Sequence, residues 1–247
     1  MTWFAGIPYK CAAYYDAYDI LCSMRPLQRI HDIGEGQWGL VTLRQAKDAR
    51  VGWRSVARLA DAGLIERVAH GVYRIRGAAE PDHLGLRAAW LQLDPGHAAW
   101  ERLDDPEVAV VSHTSAAALY GVGDLRADVH EFTLPQRRQT RRPDLRLHRG
   151  RVPAGQRPLI HGLPTTRPAR LIGDLLGDDI DPDSVAQITV EVLDRVLDNP
   201  RVLGESLEPY ASKFGLRERD GVALLDHLLS RAQYRNRAEA VALARQK

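Results

Sequence analysis

The sequence predicts an α+β protein in which a small N-terminal domain precedes a mixed α/β domain with a helical C-terminal part. Three observations predict this class. Apolar residues recur at helical spacing from residue 25 to residue 63, and two strand-like runs then flank His70-Gly71. Strand-like and helix-like runs alternate after Pro106 before helical patterns take over near Asp183. We expect four segments: an extension (1–24), a first domain (25–77), connecting helices (78–105) and a second domain (106–247).

Composition sets the class of protein. At 247 residues, with 45% apolar side chains, the chain can bury two cores. Cys11 and Cys22 are the only cysteines, too few for a disulfide framework or a cysteine zinc site. The sequence has neither a run of about 18 apolar residues that could span a membrane nor a secretory signal pattern. These features predict a soluble, cytoplasmic protein without a membrane partner.

The first 23 residues differ from the rest of the chain. They hold four of the eight tyrosines and both cysteines, and they show no sustained period. Two interpretations stay open. Translation starts at Met24, or the segment is an N-terminal helix that packs on the core.

The first helix and the start of the second follow from spacing and capping. Leu27, Ile30 and Ile33 lie at helical spacing before a glycine-rich stop, and Leu40-Val41 predicts a short strand. Thr42 is a favourable N-cap for the segment LRQAKDAR. Gln45, three residues later, predicts a capping box.

The third helix and the hairpin complete the first domain. In WRSVARLADAG, Val56 and Leu59 share one face, and Gly63 occupies the expected C-cap position. The runs LIERV and VYRI predict two strands joined by a tight turn at His70-Gly71. Three helices followed by a hairpin are the plan of a winged helix-turn-helix, a DNA-binding fold.

Charge supports DNA binding by this domain. Residues 42–77 carry eight basic side chains against three acidic ones. We expect the third helix to read bases in the major groove, the start of the second to contact phosphate, and the hairpin to act as the wing. The candidate residues are Arg54, Ser55 and Arg58 for reading, Thr42 and Arg44 for phosphate, and Arg67, His70 and Arg74 for the wing. The alternative is a protein-interaction module with an ordinary solvated face.

A second basic run, LPQRRQTRRPDLRLHRGR, lies in the second domain. Its pattern predicts a hairpin with an arginine-rich loop, which could bind nucleic acid or an acidic protein. A solvated loop is the alternative. The run holds seven arginines, namely Arg137, Arg138, Arg141, Arg142, Arg146, Arg149 and Arg151.

The acidic cluster DDIDPDS does not match a calcium loop. Ser184 stands where the loop glycine belongs, and Val190 replaces the bidentate glutamate. The cluster instead predicts an acidic helix start, with Pro182 in the first turn.

No enzymatic constellation is evident in the sequence. Ser112 and Ser115 are interpreted as caps of an alanine-rich helix, and no G-x-S-x-G elbow is present. The histidines of the second domain are scattered, without a two-histidine helical pair for zinc. The sequence therefore predicts no catalytic residue, no metal site and no cofactor. A nuclease or a nucleotidyltransferase is the least favoured class.

The order of motifs resembles that of AbiEi-type antitoxins. GLVTLRQAKDARVGWRSVARLADAGLIERVAHGVYRI is similar to their N-terminal winged helix. SHTSAAALYGVG, EFTLPQRRQTRR, LRLHRGRVP and GLPTTRPARLIGDLL are similar, in this order, to their C-terminal antitoxin domain. The resemblance covers most of residues 25–197.

The resemblance implies a type IV toxin–antitoxin operon. Its antitoxin represses the shared promoter through the winged helix, typically at inverted repeats in double-stranded DNA. Its C-terminal domain counters a cognate nucleotidyltransferase toxin, and direct binding to that toxin stays open. By position, Arg54, Ser55 and Arg58 would be readers and the His70 hairpin the wing, while the arginines of 137–151 would line a basic face.

This chain departs from the family pattern at Trp53 and Ala57, where relatives often carry further basic residues. The departure could weaken or narrow DNA binding. The alternative function is a stand-alone winged-helix transcriptional regulator whose second domain senses a ligand or a partner.

Overall fold

The computed structural model describes residues 25–246, so the two interpretations of residues 1–24 lie outside the described residues. The chain divides after Arg102 into two compact units. Among the described residues, no helix is both long and apolar enough to cross a membrane.

The first unit has the winged helix-turn-helix plan that the sequence predicts. Three helices precede a hairpin, and the strand between the first two helices joins the hairpin in an antiparallel sheet of order β1-β3-β2. The elements are α1 (25–35), β1 (Leu40–Thr42), α2 (Leu43–Asp48), α3 (Trp53–Asp61), β2 (Ile65–Ala69) and β3 (Val72–Ile75).

The local signals in the sequence explain these elements. Thr42 and Gln45 form the expected capping box at the start of α2. The hairpin turns at His70-Gly71, where Gly71 has φ +69°, a conformation that glycine adopts without strain. The apolar faces of the helices and strands meet in one core, which includes Ile30, Val41, Val56, Leu59, Ile65 and Ile75.

The segment expected to connect two domains lies mostly inside the first unit. Helix α4 (Leu84–Leu93) packs against all three strands of the sheet, and a 3₁₀ turn (Trp100–Arg102) closes the unit. The buried amide of Gln45 donates to the carbonyl of His97 at 2.9 Å. A sequence pattern can predict a helix but cannot show against which domain the helix packs. Helix α4 packs in the first unit and completes its core.

The second unit begins with small sheets and ends in helices. Its first part contains β4 (Val110–Val111), α5 (His113–Tyr120), β5 (His130–Leu134), β6 (Leu145–Arg149), β7 (Leu159–Ile160) and β8 (Leu163–Pro164). The second part contains α6 (Pro168–Gly177), α7 (Pro182–Asp194), α8 (Pro200–Leu207), α9 (Gly221–Arg231) and α10 (Arg237–Ala244), with a 3₁₀ segment (Glu208–Phe214) between α8 and α9. Helix α5 packs on β5, and α8 packs on both α6 and α9.

The predicted arginine hairpin is wrong, because β5 and β6 pair in parallel. The register runs from His130 opposite Leu145 to Leu134 opposite Arg149. The connection 135–144 therefore returns to the end of the sheet at which β5 begins. It contains two prolines and no glycine, so it lacks the residues that favour a two-residue hairpin turn.

The acidic cluster opens a helix, as the sequence predicts. The Asp181 carboxylate accepts a hydrogen bond from the backbone N–H of Ser184 at 3.0 Å, and Pro182 occupies the first turn of α7. Two of its neighbours pair with cations, Asp179 with Lys213 at 2.9 Å and Asp183 with Arg231 at 2.8 Å. These contacts are those of a helix cap with surface ion pairs.

Candidate functional site

The outer face of α3 carries long donors over a buried apolar face. Val56 and Leu59 point into the core, being 1% and 2% exposed, whereas Arg54 and Arg58 are exposed. Ser55 lies half-buried between them, and Arg58 Nη2 is 3.4 Å from its Oγ. A helix that packs its apolar face on the core and exposes guanidinium groups on the other face is suited to a DNA groove.

Trp53 is a surface feature of this helix that the sequence did not assign to binding. Its side chain is 67% exposed, and the guanidinium carbon of Arg54 lies 5.6 Å from the centre of the indole ring. An exposed aromatic ring at the start of such a helix can pack on a thymine methyl group. No sequence signal identified Trp53 as exposed, because it stands three residues before the buried Val56, a spacing that equally suits a core position.

The hairpin presents a basic tip that is tied to the body of the unit. Arg67 Nη2 and His70 Nδ1 are 3.0 Å apart, and both side chains are exposed. The carbonyl of His70 accepts a hydrogen bond from the Gln92 amide at 2.7 Å, and that of Gly71 accepts one from the backbone N–H of Leu43 at 2.8 Å. The tip is therefore held in place rather than extended as a free arm.

Thr42 does not offer its side chain to a phosphate. The residue is 1% exposed, and its hydroxyl accepts from the backbone N–H of Gln45 at 3.0 Å and donates to the carbonyl of Pro95 at 2.5 Å. Both functions of the hydroxyl are thus used inside the unit. Thr42 is a buried helix cap, which corrects the expectation of a phosphate contact.

Arg74 is likewise occupied within the hairpin. Its side chain is only 14% exposed, with Nε 2.6 Å from Glu66 Oε1 and Nη2 3.6 Å from Glu80 Oε2. The guanidinium joins β3 to β2 and to the following segment. This corrects the expectation that Arg74 acts as part of the wing surface.

Arg44 remains available at the start of α2. It pairs with Asp48 at 2.9 Å, but both side chains are about half exposed or more. Exposed ion pairs of this kind contribute little to the free energy of folding. Arg44 can therefore leave Asp48 for a phosphate at small cost. Lys47 and Arg50 are also exposed nearby in the sequence and extend the basic character of this helix end.

Replacing Thr42 with alanine should lower the free energy of unfolding by about 0.5–2 kcal/mol, the usual range for a lost N-cap. Affinity for double-stranded DNA should stay unchanged. Denaturant unfolding and a duplex titration measure the two effects, with Thr42→Ser, which keeps the hydroxyl, as the control. Weaker DNA binding without loss of stability would restore the phosphate contact.

The second basic surface is a groove along β6. The groove, of about 760 Å³, lies between the connection 135–144 and the strand. Five of the seven arginines line it: Arg137, Arg138, Arg141, Arg146 and Arg149. Leu145 and Leu147 contribute its apolar floor. The parallel return of the chain, rather than a hairpin, brings these arginines together.

The remaining two arginines pair with acids. Arg142 contacts both carboxylate oxygens of Asp144, at 3.0 and 2.5 Å, and these hydrogen bonds hold the pKa of Asp144 below its usual value. Arg151 lies 3.5 Å from Glu107 and is 81% exposed. Arg142 therefore stabilises the connection, and the groove itself depends on the other five.

Two family models match the chain. One, described as a transcriptional regulator and AbiEi antitoxin, matches residues 28–76, and the other, described as the AbiEi antitoxin C-terminal domain, matches residues 108–230. The chain belongs to the AbiEi antitoxin family. No curated protein matches it.

The two matches correspond to the two units of this AbiEi antitoxin. The first extends over α1 to β3, and the second over β4 to α9. The family descriptions are those of an antitoxin and a regulator of transcription, not of an enzyme. The resemblance stated from the sequence is thereby confirmed.

The second unit of this AbiEi antitoxin also contains a polar cluster that the sequence did not reveal. His113 and His148 stack with ring centres 3.5 Å apart and planes inclined by 12°. Asp178 lies beside both rings, and Glu131 lies 2.7 Å from His148 Nε2. The expectation of scattered histidines is therefore wrong for this pair, because the fold joins residues 35 positions apart in the sequence.

The serines near His113 do not cap α5 with their hydroxyl groups. Ser112 is the N-cap residue but makes no side-chain cap hydrogen bond. Its Oγ lies 2.9 Å from His113 Nδ1 and accepts from the Thr133 hydroxyl. Ser115 accepts from the backbone N–H of Glu131 at 2.9 Å. Both hydroxyls thus connect the helix to the cluster and to β5.

Proposed function

We propose that this AbiEi antitoxin represses its own operon by sequence-specific binding to double-stranded DNA at inverted repeats. The main support is the outer face of α3, where Arg54 and Arg58 are exposed while the opposite, apolar face of the helix is buried. Arg54, Ser55 and Arg58 read base edges, and Trp53 packs against a base or sugar. Arg44 and the Arg67–His70 tip contact phosphates on either side.

The proposal extends to a toxin. The family match supports an antitoxin role for the second unit, and we assign to it the countering of a nucleotidyltransferase toxin from the same operon. The arginine groove along β6 is the surface best suited to an acidic partner, since five guanidinium groups line it. A lasting complex between the two proteins is not required, because an antitoxin can also act on the substrate or on the state of its toxin.

The repressor half is tested by fluorescence anisotropy with the duplex upstream of its own gene. A scrambled duplex of equal length and composition is the control, over a series of salt concentrations. We expect tight binding to the upstream duplex alone, with a logarithmic salt slope of about −0.9 for each neutralised phosphate. Equal, weak binding to both duplexes would mean that the winged helix is a protein-interaction module.

Replacing Arg58 with alanine distinguishes two kinds of contact. If Arg58 meets phosphate, all duplexes lose affinity and the salt slope falls by about one; if it meets a base, about 1–3 kcal/mol is lost and specificity relaxes at one position. Titrations of single-base operator variants separate these results. Arg235→Ala, which removes an exposed arginine from the second unit, is the control. Binding by Arg58→Ala equal to that of wild type at every salt concentration would contradict the assignment.

A further inference from the structure

Three side chains of the polar cluster converge from different elements. His113 is the first residue of α5, His148 lies in the edge strand β6, and Asp178 is the C-cap of α6. Asp178 Oδ2 lies 3.9 Å from His113 Nε2 and 4.0 Å from His148 Nδ1. One potential ligand atom from each residue lies within 4.8 Å of the others.

The second nitrogen of each ring is held by a neighbour. His148 Nε2 lies 2.7 Å from Glu131 Oε2, and His113 Nδ1 lies 2.9 Å from Ser112 Oγ. In the tautomer that donates a hydrogen bond to Glu131, the proton of His148 is on Nε2. The lone pair is then on Nδ1, the nitrogen nearer to Asp178. A carboxylate behind a histidine is the usual support of a metal-binding imidazole.

His113 is buried beside the ring of His148, and only 6% of its surface is exposed. The residue also has φ +52°, a left-handed conformation that is costly for a histidine. Strained backbone tends to occur where a side chain must be aimed.

An independent observation points to a missing partner in the same place. Asp174 lies one helical turn before Asp178 and lines the same small cavity, of about 270 Å³, as the two histidines. Asp174 is 7% exposed, and its Oδ1 accepts from Arg170 Nε at 2.7 Å, whereas its Oδ2 is buried without a hydrogen-bond partner. A buried carboxylate oxygen without a hydrogen-bond partner destabilises the fold unless a donor or a cation in the adjoining cavity interacts with it.

We propose that His113, His148 and Asp178 bind one divalent transition-metal ion of the zinc type, with Asp174 as an additional oxygen donor. Two imidazole nitrogens with carboxylate oxygens suit zinc, nickel or cobalt, whereas magnesium and calcium prefer oxygen alone. The two rings lie in nearly parallel planes 3.5 Å apart, so their in-plane lone pairs cannot both point at one ion as the rings now stand. Binding therefore requires the rings to tilt toward the ion.

The ion would also change the second basic surface. Arg146 Nη1 lies 3.2 Å from Asp178 Oδ2 and is the cation that this carboxylate now contacts. A metal ion at Asp178 replaces and repels this guanidinium, which leaves Arg146 to the groove that it already lines. Metal binding and the charge of the groove are coupled through this one side chain.

The test is a titration of the full chain with Co²⁺ and Zn²⁺. The protein carries no affinity tag, has Cys11→Ser and Cys22→Ser to remove both thiols, and is stripped with a chelator. Calorimetry should give one ion per chain, and Co²⁺ should develop a visible absorption band typical of nitrogen and oxygen ligands. Ring resonances of His113 and His148 in NMR spectra should shift together as the rings tilt.

Variants locate the site. His113→Gln and His148→Gln should abolish stoichiometric binding, and Glu131→Gln should weaken it about 10–100-fold, as removal of a supporting carboxylate does. His161→Gln, an exposed histidine of the same unit, is the matched control and should bind as wild type. If a histidine variant does not fold, as judged by circular dichroism, Asp178→Asn takes its place, since the Asp178 side chain is partly exposed. Absence of stoichiometric binding by the parent protein, or equal binding by the site and control variants, would overturn the proposal.

Discussion

Reversing two charges on α3, by Arg54→Glu together with Arg58→Glu, should abolish binding to the operator duplex. Each arginine contact is worth about 1–3 kcal/mol, and about 1.4 kcal/mol changes an affinity tenfold. The two new carboxylates add repulsion from the phosphates. Because Val56 and Leu59 form the buried face, the exposed substitutions leave the core intact, and fluorescence anisotropy at several salt concentrations measures the effect.

The control for this experiment is a second double reversal with the same change in net charge. Arg217 and Arg235 are exposed arginines of the second unit, outside the winged helix. Arg217→Glu with Arg235→Glu should retain specific binding and lose only a small, salt-sensitive part of the affinity. Equal losses in both double variants would show that binding depends on overall charge and not on α3.

Local patterns were sufficient to predict the elements from α1 to β3, but not that α4 belongs to the same unit. Helical spacing, the Thr42–Gln45 capping box and the glycine at the hairpin turn are all read from residues close in sequence. The same sequence could not show that the carbonyl of Pro95 accepts the Thr42 hydroxyl, because the two residues are 53 positions apart. The sequence therefore suggested two roles for the Thr42 hydroxyl, helix cap and phosphate contact. In the structure the hydroxyl is buried and caps α2.

Non-local pairing explains the errors in the second unit. Two strand-like runs separated by ten residues suggested a hairpin, since neighbouring strands usually pair in antiparallel fashion. In the parallel arrangement, His148 lies opposite Thr133. The Thr133 hydroxyl bonds to Ser112, the neighbour of His113. The two histidines therefore meet because of strand direction, which composition and spacing do not determine.

The ion pair of Arg167 and Asp198 is the contact whose loss should destabilise the second unit most. The Asp198 side chain is fully buried and accepts from Arg167 Nε at 3.0 Å and Nη2 at 2.6 Å. It also accepts from the backbone N–H groups of Ala169 at 2.9 Å and Asn199 at 2.8 Å. One carboxylate thus satisfies the first turn of α6, the segment before α8 and a guanidinium.

Asp198→Ala should lower the free energy of unfolding by about 3–5 kcal/mol, because it leaves a partly buried guanidinium and helix N–H groups without a partner. Asp198→Asn, which keeps the shape but not the charge, should lose less. The exposed Asp179, paired with Lys213, provides the contrast, and Asp179→Ala should lose no more than about 1 kcal/mol.

The distribution of tryptophan makes this experiment specific to one unit. The four tryptophans of the described residues, Trp38, Trp53, Trp90 and Trp100, lie in the first unit, so their fluorescence reports on that unit. Far-UV circular dichroism reports on the helices of both units. Asp198→Ala should move the dichroism transition to lower denaturant and speed hydrogen exchange in α6. Equal denaturant midpoints for Asp198→Ala and Asp179→Ala would mean that water replaces the buried ion pair without loss of stability. In that case, α6 would be held by its apolar face alone, with Leu171, Ile172 and Leu175 fully buried.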